Sequence, residues 1–243
     1  MRCGVVVFPG SNCDHDVYHV LKHVLGQEVL FLWHAGRSLR DCELIVLPGG
    51  FSYGDYLRPG AIAARSPIMS AVRRHAEAGG LVLGIGNGFQ ILLEAGILPG
   101  AIRRHRGRWL ETREVGLKVE RSDLPFTAGY AEGQVLRMPI ACEAGCYADT
   151  PAALDALEEA GGVVFRYLEA EDGGGATGAP AEDRLPGRST RGIAGIVNQD
   201  GNVLGMMPHP ERCAEEILNN VAGRPLLATA VGREPGFLAG DLP

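Results

Sequence analysis

The amino-terminal part of the chain is punctuated by short, continuous apolar runs: Cys3 to Phe8, Val29 to Trp33, Leu44 to Leu47 and Leu81 to Ile85. Unbroken apolarity over a few residues, rather than alternation, marks parallel strands covered on both faces. Helical patterns lie between them. Asp14 to Leu25 has an acidic start and apolar residues at Val17, Val20, Leu21, Val24 and Leu25, and Ser66-Pro67 is expected to open a helix through Ala78 with proline in its first turn. Asn87 to Glu94 reads as a helix that follows the Leu81 to Ile85 strand at once. Alternating strand and helix gives a doubly wound sheet. After Gly100 the texture changes: Val115 to Val119 and Val135 to Ile140, then Val163 to Tyr167, Ile193 to Asn198 and Val203 to Met207, suggest an antiparallel or mixed extension. The expected fold class is therefore α/β, a doubly wound, mostly parallel sheet flanked by helices with a small antiparallel extension.

The 243 residues suit one α/β domain with a full core. That domain is assigned to residues 1–222, and 223–243 to a tail whose Pro225, Pro235, Gly236 and Gly240 predict poor packing. Glu169 to Arg191, rich in Gly, Ala, Pro and charge, reads as a surface loop, and no internal repeat is visible. The net charge is −6, and the one basic block is Arg103-Arg104-His105-Arg106-Gly107-Arg108, read as a solvated loop. Nucleic-acid binding thus has little support. Six cysteines are scattered without a Cys-x-x-Cys pair, which fits reduced cytoplasmic thiols. Cys142 and Cys146 have no facing His/Cys pair, so no metal site is expected. No signal-peptide layout and no membrane-length apolar run is present, so a soluble chain with no membrane partner is expected.

One stretch carries the sharpest chemical signal. Leu81-Val82-Leu83-Gly84-Ile85-Gly86-Asn87-Gly88-Phe89-Gln90 has the strand, the tight glycine-lined turn and the helix of a nucleophile elbow. Gly86 stands at its tip. A residue there is usually held in a sparsely populated backbone region, which glycine occupies with least strain. The turn is kept and the reactive side chain is absent.

Gly84-x-Gly86-x-Gly88-x-Gln90 resembles the Gly-x-Cys-x-Gly-x-Gln elbow of class I (triad) glutamine amidotransferases, with glycine in the cysteine position. Val5-Val6-Val7-Phe8-Pro9-Gly10-Ser11-Asn12-Cys13-Asp14 and Pro48-Gly49-Gly50-Phe51-Ser52-Tyr53-Gly54-Asp55-Tyr56-Leu57-Arg58 are similar to the glutaminase subunits of phosphoribosylformylglycinamidine synthase, and so is Asn202-Val203-Leu204-Gly205-Met206-Met207-Pro208-His209-Pro210-Glu211-Arg212. These blocks lie in order from about Arg2 to Arg212. In the resembled family a cysteine attacks the side-chain amide of glutamine, a histidine moves the protons and a glutamate orients it. The resemblance places Gly86 at the nucleophile position, His209 and Glu211 as its partners, and Gly49, Gly50, Asn87 and Gln90 at the oxyanion and substrate-binding positions, with Gly50 and Asn87 as backbone oxyanion donors.

No phosphate-binding loop is recognisable, so no cofactor is expected in this chain. The resemblance implies that ATP and Mg belong to a separate synthetase subunit, with a small third subunit bridging the two. The whole reaction implied converts formylglycinamide ribonucleotide, ATP and glutamine to formylglycinamidine ribonucleotide, ADP, phosphate and glutamate. The chain departs from the family beyond Gly86. Pro139-Ile140-Ala141-Cys142-Glu143-Ala144-Gly145 stands where Ile-Ala-His-Gly-Glu-Gly is usual, Pro59 replaces a small residue or Cys, and His105 an Asn. Two readings follow: a glutaminase subunit supplying ammonia for purine synthesis, or a pseudo-glutaminase that docks on the synthetase and holds glutamine while free ammonia feeds the reaction. A peptidase- or chaperone-like relative fares worse, because it too needs Ser or Cys at the tip. Cys142 as a substitute nucleophile lacks the elbow.

Overall fold

The computed structural model describes residues 1–103, 110–169 and 185–238. A nine-stranded sheet has the order β2-β1-β3-β4-β11-β10-β9-β6-β7. Its parallel half comprises β1 (Arg2–Val7), β2 (Glu28–Trp33), β3 (Leu44–Leu47), β4 (Leu81–Ile85) and β11 (Val203–Met206). The other half, β10 (Ile193–Val197), β9 (Val163–Tyr167), β6 (Glu111–Val119) and β7 (Val135–Cys142), pairs antiparallel throughout. The extension expected to be small supplies four of the nine strands. A separate ribbon pairs β5 (Ala101–Arg103) with β8 (Cys146–Ala148).

Burial explains which strands were legible. β3 and β4 sit mid-sheet, and Leu44, Ile45, Val46, Leu47, Val82, Leu83 and Ile85 are all fully buried. The edge strand β2 leaves Phe31 and Trp33 partly exposed, so its unbroken apolar run does not mean two covered faces. Tyr18 stacks on Phe31 there, ring centroids 4.6 Å apart.

The first helix is α1 (Asp14–His19), which runs into a π-helical turn at Val20–Val24 closed by Leu25 N–H donating to the Val20 carbonyl at 2.9 Å. Helix α2 spans Met69–Glu77, later than expected, because Ala63–Arg65 forms a separate 3₁₀ turn and Ser66 is extended (ψ 145°), as the residue before a proline tends to be. Helix α3 occupies Asn87–Glu94 as expected. Helix α4, Pro151–Glu159, was not anticipated, although its start is written in the sequence: the Thr150 hydroxyl accepts from Ala153 N–H, with proline in the first turn.

The tail corrects a further expectation. Arg224–Ala230 forms α5, whose Leu226, Leu227 and Ala228 are fully buried. Tyr130 fastens it: its hydroxyl donates to the Ala222 carbonyl at 2.7 Å and accepts from Leu226 N–H at 3.2 Å. Pro225 does not oppose this helix, since a first-turn proline lacks only an N–H that has no intrahelical partner. Most of the 169–191 loop, and the basic block beyond Arg103 with His105, lie outside the described residues.

Candidate active site

The carboxyl ends of β3, β4 and β11 are neighbours in the sheet, the place where open α/β sheets bind ligands. Gly49 and Gly50 follow β3, Gly86 follows β4, and His209 follows β11. Gly86 has φ 53° and ψ −110° and acts as N-cap of α3, while its N–H donates to the Met206 carbonyl at 2.7 Å. This backbone region is hostile to most L residues, so the strand-to-helix turn has the strained form of an elbow. Gly88 makes the turn tight: any Cβ there would run into the Leu47 carbonyl.

His209 comes to the same point from the other side. Its N–H donates to the Pro139 carbonyl on β7 at 2.8 Å, and its ring is buried. Nδ1 lies 2.6 Å from Glu211 Oε1, and the Glu211 side chain is fully enclosed. A carboxylate can only accept, so Nδ1 carries the proton in the neutral ring and Nε2 presents a lone pair. That Nε2 has no hydrogen-bond partner among the described residues, and neither does Glu211 Oε2. A side chain at position 86 would start its Cβ 3.1 Å from Nε2, with the Gly49 Cα at 3.7 Å. Gly49 packs so closely on the ring that a Cβ of its own would meet His209 Cε1 at 2.5 Å.

The remaining expected positions surround this point. Gly50 adopts φ 127° and is bridged to Ser11, and Asn87 opens α3. The Asn87 side chain faces inward: its Oδ1 accepts from Ser52 N–H at 3.2 Å, and its Nδ2 donates to Gln90 Oε1 at 2.8 Å and Asp55 Oδ1 at 3.2 Å. Gln90 Nε2 donates to the Ala144 carbonyl at 2.6 Å, so both ends of its amide are engaged within the protein. This buried network ties the elbow to the 52–57 segment, where Tyr53, Asp55 and Leu57 have positive φ. Strain in non-glycine residues persists where surroundings over-determine it.

Sequence reasoning left Cys13 without a role, yet it sits beside the pair. Cys13, His209 and Glu211 each offer an atom within 4.8 Å of the others. This set suits a cation poorly. Arg212 donates to Cys13 Sγ at 3.1 Å, and burial, followed by the nearby Glu211, pushes the thiol up to about 12. Cys142 lies on β7 in register with Glu111, and burial likewise pushes its thiol up to about 12. Neither sulfur is a ready thiolate. The link from Gln90 to Ala144 spans 54 residues and had no local signal.

The tip of the elbow points at a buried His–Glu pair, and residues 1–226 match the model of the CobB/CobQ-like glutamine amidotransferase domain. At 54% identity over 95% of both chains the protein resembles phosphoribosylformylglycinamidine synthase subunit PurQ of Moorella thermoacetica. The PurQ subunit of Thermus thermophilus is 52% identical, covering 93% of this chain and 95% of the relative. A chain in the structure of PurLQS from Thermotoga maritima superposes with a TM-score of 0.81 at 41% identity, covering 95% of this chain and 97% of that one. The chain belongs to the PurQ family of CobB/CobQ-like glutamine amidotransferases.

Proposed function

We propose that this chain is the glutaminase-type subunit of a phosphoribosylformylglycinamidine synthase, with Gly86 at the position of the nucleophile. The observation that carries the site assignment is the direction of Gly86: its missing side chain aims at His209 Nε2, whose other nitrogen is held by Glu211. Backbone N–H groups of Gly50 and Asn87 are the natural oxyanion donors, since Gly50 abuts Gly49 and Asn87 begins α3, where helix N–H groups lack intrahelical acceptors. Glutamine is the substrate of this reading, and the ammonia it yields passes to the synthetase. ATP and Mg act on that synthetase subunit, and a small bridging subunit completes the assembly. The likeness to a chain of PurLQS supports such partners. Its setting is cytoplasmic, consistent with six free, buried cysteines and with no helix among the described residues long and apolar enough to cross a membrane.

The second reading, a scaffold that serves an ammonia-using synthetase, draws on the missing sulfur at Gly86 and on the unreactive state of Cys13 and Cys142. Glutamine hydrolysis by this chain and by Gly86→Cys, each assembled with the synthetase partners, separates the two, with ammonia-driven synthesis as control. Activity raised by roughly 10³-fold or more in Gly86→Cys supports a competent glutaminase site lacking only its nucleophile. An inactive Gly86→Cys beside intact ammonia-driven synthesis would leave the scaffold reading.

A further inference from the structure

Gly86 offers no thiol and leaves only hydrogen between its Cα and the base. His209 Nε2 is buried, unpartnered among the described residues and directed at the position a side chain would fill. The proton on Nδ1 is held by Glu211, so the bare lone pair faces that space. Gly86 itself caps the amino end of α3, an eight-residue helix whose first N–H groups favour an oxygen carrying partial negative charge. A base and a polar cradle are two of the requirements for activating water.

We propose that this chain hydrolyses glutamine slowly without any protein nucleophile, using a water molecule seated against Gly86 and His209 as its general base. This rests on the reading of the site as a glutamine site. The water oxygen forms a bond to the amide carbon while its proton passes to His209 Nε2, and the carbonyl electron pair moves onto oxygen. Glu211 stabilises the resulting imidazolium. Collapse of the tetrahedral intermediate re-forms the carbonyl and breaks the carbon–nitrogen bond, whose electron pair leaves with nitrogen as His209 returns the proton. Glutamine and water give glutamic acid and ammonia, and the acid proton is lost to ammonia or solvent. No thioester forms.

Alanine at position 86 is the discriminating substitution, because its methyl would stand 3.1 Å from Nε2 and occupy the approach without supplying a nucleophile. Glutamate release is measured for the full chain, Gly86→Ala, His209→Asn and Gly86→Cys, each in the assembled synthase, with thermal melting and ammonia-driven synthesis confirming that each variant is folded and docked. The expected rate for the unmodified chain is roughly 10³ to 10⁵ below Gly86→Cys, with at least about a tenfold further loss in Gly86→Ala and about a hundredfold in His209→Asn. Hydroxylamine, which intercepts thioesters, should release γ-glutamyl hydroxamate from Gly86→Cys and none from the unmodified chain. Equal rates for the unmodified chain, Gly86→Ala and His209→Asn beside an active Gly86→Cys would overturn the water mechanism while leaving the glutaminase reading intact. A glutamyl thioester on Cys13 would also overturn it. Inactivity of folded Gly86→Cys would remove both.

Discussion

The two arms of the site differ in what they are made of. On the β11 side the site is built of side chains: His209 and Glu211 are 2% exposed each, and Pro139 and Glu211 fix the ring in place and tautomer. On the β4 side almost everything is backbone, from the 53° φ of Gly86 to the close approach of Gly88 and Leu47. A side-chain arm loses its purpose when its partner is deleted, and a buried His–Glu pair without full hydrogen bonding is costly to keep. A backbone arm loses nothing when its one reactive side chain shrinks to hydrogen. The fold therefore tolerates Gly86 without disturbance, and the side-chain arm remains poised for a partner.

Substitutions rank by which arm they break. Glu211→Gln in the Gly86→Cys background should have the largest effect, lowering kcat of glutaminase roughly 10² to 10⁴-fold, because imidazolium stabilisation is lost while the ring stays in place. An unchanged kcat would mean that the side-chain arm does not carry proton transfer. Gly88→Ala attacks the backbone arm instead. Its methyl meets the main chain of Leu47, which cannot rotate away, so stability should fall by about 1–3 kcal/mol or more in denaturant unfolding. A melting curve like that of the unmodified chain would show that the elbow is looser than described. Arg58→Ala sets the lower bound: its bidentate pairing with Glu94 lies beside the strained 52–57 segment but is exposed, so stability should change by about 1 kcal/mol at most. A larger loss would make that segment a third structural arm.

Much of the backbone arm was legible in the sequence. Leu81–Ile85 and Asn87–Glu94 read correctly to the residue, since a buried apolar run abutting a helix with glycines between admits few geometries. The pairing of His209 with Glu211 came from the resemblance of their block to the family, and the structure places them in contact. What stayed hidden depends on distant partners. Cys13 joins the cluster from the β1 end, Gln90 is anchored at Ala144, and Asn87 is fixed by Ser52 and Asp55, none of which local periodicity reports. Composition misled at the carboxyl end, where glycines and prolines suggested a loose tail. Leu226 and Leu227, buried against the core under the Tyr130 hydroxyl, form a packed helix there. The late start of α2 is a boundary error of the same kind, settled by the extended residue before Pro67.

Covalent trapping distinguishes whether position 86 is the nucleophile position of an otherwise assembled site. Gly86→Cys and the unmodified chain, each in the assembled synthase, are incubated with a glutamine-derived chloroketone and examined by peptide mass spectrometry. One stoichiometric adduct is expected at position 86 of the variant, suppressed by excess glutamine, and no adduct on Cys13, Cys142 or any other cysteine of the unmodified chain. Labelling of Cys13 or Cys142 in both proteins, with position 86 of the folded variant left unmodified, would contradict it.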